Sequence, residues 1–385
     1  MHLRHADGTL VHLAYGTNVH PAEDLDGIIG QLDTYAAAVR RRLDVAVLGL
    51  GMWLAAPAAA ALAADPATRR RLRRELDTRG LEVVTLNGFP YQAFHAPVVK
   101  HAVYRPDWAD PSRLEYTMNL ATILVDLLPD GAARGSISTL PLGWREPWDA
   151  RQETLTRRAL DELATRLAAL RHDSGRPVRV AFEPEPGCVV ETSVQAVARL
   201  STVDTDHLGV CLDLAHLACA WEDPATVVSR LAAARLPIVK VQVSSALEVA
   251  DPDAAVEALR RYVEPKFLHQ VRSRDGAALD DLDEALTAPV PGPWRIHFHV
   301  PLHAAPEPPV VSTNSYLAAA LAVLMGGPAA LCDHLEVETY TWSVLPPAQR
   351  PADAGGLAAG IAAELAYAGG LLRDLGLKPV EVGTS

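Results

Sequence analysis

Aromatic side chains are scarce in this sequence, at 5% of 385 residues. Apolar residues still make up 49%, so a large core is available but must be built mainly from Ala, Leu and Val. Cysteine is nearly absent: Cys188, Cys211, Cys219 and Cys332 form no CxxC pair. That excludes a disulfide framework and a structural Cys-zinc site, and it fits a reducing cytoplasm. Basic residues are outnumbered, 35 against 47 acidic, for a net charge of −12. Such a surface repels polyphosphates, so nucleic acid is not an expected partner. The cluster Arg69, Arg70, Arg71, Arg73 and Arg74 reads as a solvated helix face. Long apolar runs are also missing. The richest windows, Met52–Ala64 and Leu317–Met325, fall short of the roughly 20 residues of a membrane span. The N-terminus lacks a basic, apolar and cleavage-site pattern. A soluble cytoplasmic protein with no membrane insertion is therefore expected. The Gly49–Gly51 pair lacks the spacing and lysine of a phosphate loop.

What is present is alternation. Short apolar, β-branched or leucine-rich runs predict buried parallel strands at Leu10–Asn18, Asp44–Leu50, Leu81–Asn87, Gly135–Leu140, Val178–Glu183, Leu208–Asp213, Ile238–Val243 and His334–Thr339. Between them lie helical stretches at Pro21–Arg42, Pro66–Thr78, Pro111–Leu128, Ala150–His172, Ser193–Leu200, Asp223–Ala234, Asn314–Met325 and Ala354–Leu375. Several open on Ser, Asp or Asn, or on an early Pro, as helix N-termini do. Eight strands and a final helix predict an α/β fold, a single (β/α)8 TIM barrel over residues 1–385. About 90 residues separate the seventh and eighth strands, a length that is usually functional or disordered. Residues 247–312 are read as an insertion on the catalytic face, including a strand-like run WRIHFHV at Trp294–Val300.

Barrel chemistry sits where strands end, and here the later strands end in metal-binding or acid–base residue types. The fifth reads VAFEPEPG, with Glu183 and Glu185; the sixth GVCLDLAH, with Asp213 and His216; the seventh KVQVSS, with Gln242; the eighth LEVETYTW, with Glu336 and Glu338. The insertion adds IHFHVPLH, with His297, His299 and His303, and His269–Gln270 lie upstream. Carboxylates among Val and Leu are costly to bury unpaired, and a divalent cation neutralises several at once. Glu, Asp, Gln and His offer oxygen and nitrogen donors that suit Mn2+, Mg2+, Co2+ or Zn2+. His297 and His299, two apart on an extended run, share a face. Glu336 and Glu338 do too, and one of them could instead pair with a Lys or Arg. At the first and third strand ends, YGTNVHP and NGFPYQAFH supply His20, Asn87 and His95 as candidate substrate contacts, alongside His269 and His303.

With these residues laid out, the later half resembles the sugar isomerase/epimerase superfamily, which includes xylose isomerases, ketose 3-epimerases, inosose dehydratase and endonuclease IV. The resemblance implies a xylose isomerase-like barrel with metal ligands on strands five to eight. Glu183 resembles the fifth-strand Glu ligand. Glu185 stands where xylose isomerases carry a catalytic Lys, which disfavours hydride-shift isomerisation. Asp213 and His216 resemble the Asp-x-x-His of endonuclease IV, and Glu338 the eighth-strand Glu. Gln242 stands where epimerases usually carry a His, and is a weaker donor. The whole chain further resembles the EboE family of metabolite traffic proteins, through YGTNVHP, LNGFPYQAFH, EPEPGC, CLDLAH, FLHQ, WRIHFHVPLH and EVETYTW. That resemblance implies a polyol or cyclitol-like substrate.

The expectation is thus a metal-dependent isomerase or epimerase acting on a polyhydroxylated small molecule. Glu183, Asp213, His216, Gln242, Glu338, His297 and His299 are the candidate ligands, and Glu183, Glu338 or Glu185 the candidate acid–base group. A metal-assisted hydrolase or dehydratase is the rival enzyme, favoured if the histidines of the insertion complete a site for several ions. A non-catalytic metabolite-binding protein is the rival of another class.

Overall fold

The computed structural model describes residues 1–288 and 290–380. Eight parallel strands, Leu10–Gly16, Leu48–Trp53, Leu81–Asn87, Gly135–Thr139, Val178–Phe182, Leu208–Asp213, Ile238–Val243 and His334–Val337, pair in chain order. The eighth closes on the first in the register His334↔His12 to Val337↔Tyr15. Helices alternate with the strands around this closed barrel. Their starts follow the local chemistry: Asp149 with Gln152, and Thr192 with Gln195, form reciprocal caps. Asp65, Asp110 and Asp223 cap helices whose first residue is Pro.

The second strand begins four residues later than its apolar run predicts. Asp44 takes φ 51°, ends the preceding helix Ala37–Leu43 and is lost to the strand. The first predicted helix starts at Leu25, where Asp24 caps it, and it contains a π-helical turn at Leu32–Ala36. The helix Ala56–Ala64 is unpredicted because its alanines carry no polar–apolar period. The last helix, Ala354–Asp374, is the one described helix long and apolar enough to cross a membrane. Its Ile361, Leu365 and Leu372 are instead buried against the barrel.

Inside the insertion a five-stranded antiparallel sheet runs in the order Ala278–Leu279, Val271–Ser273, Trp294–Ile296, Leu247–Val249, Val311–Ser312. The strand predicted over Trp294–Val300 therefore stops at Ile296. Beyond it the backbone leaves the sheet and turns over the barrel mouth: Val300 N donates to Ser245 O, at the end of the seventh strand.

Glu364, on the last helix, ties the two parts together. Its Oε1 accepts from Leu302 N of the insertion at 3.1 Å and from Thr339 Oγ1, beside the eighth strand, at 2.6 Å. Burial pushes its carboxyl up to about 8. Between the ordinary value near 4.5 and about 8, the unfolded chain releases this proton while the folded chain keeps it. Stability therefore falls as pH rises through that window. Glu364→Gln, which keeps the accepting oxygen, is expected to melt with wild type near pH 5 and several degrees above it near pH 8. A difference in Tm that does not widen over that range rules this out.

Candidate metal centre

The strand ends deliver six donor side chains to one spot. Glu183 follows the fifth strand, Asp213 ends the sixth and His216 stands in the short helix that Asp213 caps. Glu338 follows the eighth strand, and His297 and His299 hang over them from the insertion. Ligand atoms of His216, His297 and His299 lie within 4.8 Å of one another. The same holds for Glu183, Asp213 and His216, and for Asp213, His299 and Glu338. All six side chains are buried.

The imidazole tautomers decide what this cluster is. His216 Nδ1 is 2.9 Å from Pro184 O, and His299 Nδ1 is 2.8 Å from Glu338 O. Main-chain carbonyls only accept, so both Nδ1 atoms carry the proton. His297 Nδ1 likewise meets the side-chain oxygen of Gln270 at 2.7 Å. A neutral ring protonated on Nδ1 leaves Nε2 bare, and His297 Nε2 lies 2.9 Å from that of His216 and 3.3 Å from that of His299. Burial lowers His216 to about 4 and pushes His297 well down, so neither imidazole is protonated at neutral pH to relieve the contact. Among the described residues, Asp213 Oδ2 and Glu183 Oε2 have no hydrogen-bond partner. The facing lone pairs of His216 and His297, flanked by carboxylate oxygens without partners, make this a candidate cation site. Each ring's other nitrogen is held by an acceptor, as metal-ligating histidines usually are. The residues fit a divalent ion. A second His–His–Glu group at the opposite barrel end differs in this respect: Glu82 accepts from both His2 and His12, and the group satisfies itself.

Burial, followed by the neighbouring carboxylates, pushes Glu183 and Glu338 well up. A bound cation would reverse both shifts. Glu185 is pushed up to about 8, again chiefly by burial. Glu338 is held firmly: Asn18 Nδ2 and Asn87 Nδ2 donate to its Oε1 at 2.7 and 2.8 Å, and Gln242 Nε2 to its Oε2. Above the cluster is a cavity of about 50 Å3 bordered by Glu183, Glu185, Glu338, Asn87, Tyr104 and Tyr340, among others. That is room for an ion and water, each water taking about 30 Å3.

The structure thus brings together Glu183, Asp213, His216, His297, His299 and Glu338, with Glu185 and Asn87 beside them. The other candidates stand further off. Gln242 lies behind Glu338 as its hydrogen-bond donor, with its oxygen taken by Cys211 Sγ. His20 stacks on Tyr35 and meets Tyr15 OH outside the cavity. His95 holds Asn18 O at 2.7 Å, one step from the site. His269 sits behind His297, between His297 O and Glu264. His303 is exposed beside Trp342. Sequence reasoning missed Asn18, Tyr104 and Tyr340. Asn18 had a signal, since it lies in the same YGTNVHP turn as His20, but nothing local marks Tyr104.

Fold and site together define a closed parallel barrel with a candidate metal-binding cluster of buried His, Asp and Glu at the C-terminal ends of its strands. The profile of the xylose isomerase-like TIM barrel family matches residues 42–266, more than half of the chain, and the protein belongs to that family. Its structure is similar to that of an L-ribulose 3-epimerase, at 14% identity over 95% of both chains, with a TM-score of 0.52. It is also similar to a xylose isomerase-like TIM barrel protein from Mycobacterium smegmatis in complex with magnesium, at 15% identity over 94% of this chain and 98% of that one, with a TM-score of 0.51. At such identities the likeness is one of fold. No curated protein matches the sequence.

Proposed function

We propose that the protein is a metal-dependent isomerase or epimerase of a small polyhydroxylated carbonyl compound. The observation that carries this reading is the convergence of three imidazole Nε2 atoms and two unpartnered carboxylate oxygens beneath a cavity that Glu183 and Glu338 both border. Glu183, Asp213, His216, His297, His299 and Glu338 would hold the ion. Bound there, a divalent cation supplies Lewis acidity to a carbonyl and its neighbouring hydroxyl. Glu183, with one oxygen free, takes the proton from the carbon beside the carbonyl. Glu338, fixed by three amide donors, faces the same space, and Glu185 is the further carboxyl able to return a proton. Asn18 and Asn87 orient Glu338, and the aromatic wall of Phe89, Tyr104 and Tyr340 limits water. The resemblance to the EboE family implies a polyol or cyclitol-like metabolite as substrate. Four buried cysteines, none of them paired, support a cytoplasmic location.

The imidazoles favour one second reading. Six donors exceed what a single ion can use while leaving positions for substrate, and the overlapping groups share His216, Asp213 and His299. Two ions would suit a hydrolase or dehydratase. The test is solvent exchange: deuterium entering the carbon next to the carbonyl, read by NMR across a panel of ketoses and cyclitol ketones in D2O. Exchange supports the isomerase; bound metal without any exchange moves the assignment to the second reading.

Metal removal is expected to destabilise the fold. A cation present at a thousandfold over its Kd contributes about 4 kcal/mol, which is about 5 °C in Tm for a chain this long. Elemental analysis of protein purified without chelator, with melting curves in EDTA, checks this. Metal-free protein whose Tm ignores EDTA leaves only a metabolite-binding role.

A further inference from the structure

We propose that Gln270 is the positioning residue that holds His297 in its ligating tautomer and links it to Glu185 in the substrate cavity. The inference rests on the metal-site reading above. Gln270 is fully buried in the insertion, next to His269 in FLHQ; it does not border the cavity itself but contacts His297 of the cluster and Tyr104 of the cavity wall. Its importance lies in which way its amide faces. Gln270 Nε2 lies 3.0 Å from Pro186 O and 2.8 Å from Tyr104 OH. A main-chain carbonyl accepts only, so the amide NH2 must face Pro186. The amide oxygen is then forced toward His297 Nδ1 at 2.7 Å, and that nitrogen must carry the proton.

From there the donors run in one direction. His297 Nδ1–H donates to Gln270, Gln270 N–H to Tyr104, and Tyr104 O–H to Glu185 Oε1 at 2.7 Å. The chain anchors on a carbonyl that follows Glu185 directly, so the fifth-strand EPEP turn both sets the amide and receives the far end of the relay. Glu185 is thereby kept as an acceptor bordering the cavity, while His297 is kept with a bare Nε2 facing His216 and His299. Without Gln270, His297 is free to move its proton to Nε2 and donate it to His216 Nε2, 2.9 Å away. That single hydrogen bond would satisfy two of the three ligand atoms and close the site.

The test uses the full chain with Mn2+ or Zn2+ alone, titrated by calorimetry after chelator treatment, and 15N imidazole shifts to read the tautomer of His297. Gln270→Leu is expected to weaken cation binding about 10- to 100-fold, the usual loss when the partner of a ligating histidine is removed, and to place the His297 proton on Nε2. Gln270→Glu, which keeps an acceptor for His297, is expected to recover most of the affinity. Tyr104→Phe removes the link to Glu185 and one of the two acceptors of the Gln270 amide but leaves Pro186 O to set it, so His297 is expected to stay protonated on Nδ1. Gln270→Leu binding the ion as wild type does, with His297 still protonated on Nδ1, overturns the proposal. Wild type that binds neither ion overturns the metal-site reading instead, and the tautomer measurement still decides the role of Gln270.

Discussion

Glu183→Gln is expected to abolish solvent exchange at the substrate carbon, lowering its rate by about 10^2- to 10^4-fold, the usual contribution of a positioned base. Glu183 combines a carboxylate oxygen without a partner, a border on the cavity and a strong upward push on its proton affinity. The amide keeps the shape and removes the base. Glu338→Gln is the informative comparison, because Asn18, Asn87 and Gln242 already direct three N–H donors at that carboxylate. An amide there must turn one of its own donors toward theirs, so its metal content should drop along with the rate. Glu183→Gln that exchanges at the wild-type rate with its metal intact would remove Glu183 as the base and pass that role to Glu185. Deuterium incorporation with elemental analysis on the same samples separates these results.

The second large effect concerns stability, beneath the site. Lys240 and Glu336 are both fully buried inside the barrel, with Lys240 Nζ 2.8 Å from Glu336 Oε2 and 3.1 Å from Ser138 Oγ. Burial alone would lower the lysine's affinity for its proton, but Glu336 beside it outweighs that and the ammonium is held charged. Lys240→Met leaves a buried carboxylate alone, which costs about 3–5 kcal/mol, or about 4–6 °C in Tm for this length. It also removes the cation that partly offsets Glu183 and Glu338 from below. Replacing both partners, Lys240→Met with Glu336→Leu, should recover much of that loss, because apolar pairs often substitute for buried ion pairs without penalty. A single variant as stable as wild type in thermal melts would show that the pair carries no such weight. Gly51 belongs to the same arrangement: a Cβ there would sit 1.7 Å from Glu336 Oε2. Gly49–Gly51, which fits no phosphate loop, is thus explained in part by the space that a carboxylate takes inside the barrel.

The barrel was legible in the sequence because its signal is local. Buried parallel strands are short and apolar, most of the long helices start at capping residues, and eight such alternations are the count of a closed barrel. The Glu183, Asp213 and Glu338 positions were legible for the same reason: a carboxylate that directly follows an apolar run lies at a strand end. The tertiary structure decided what depended on long-range meeting. WRIHFHV reads as one strand, yet it is paired only to Ile296, and its histidines reach the site because the chain leaves the sheet to hydrogen-bond Ser245. His20, His95, His269 and His303 are the same residue type in similar local settings. Only packing places them behind, beside or outside the cluster, since a histidine's role follows from which nitrogen faces an acceptor. Glu336 and Glu338 share a face in sequence, but Lys240 claims the first while Asn18, Asn87 and Gln242 hold the second. Which carboxylate joined the cluster was set by those partners, up to 320 residues away in the chain, and no local pattern encodes contacts of that range.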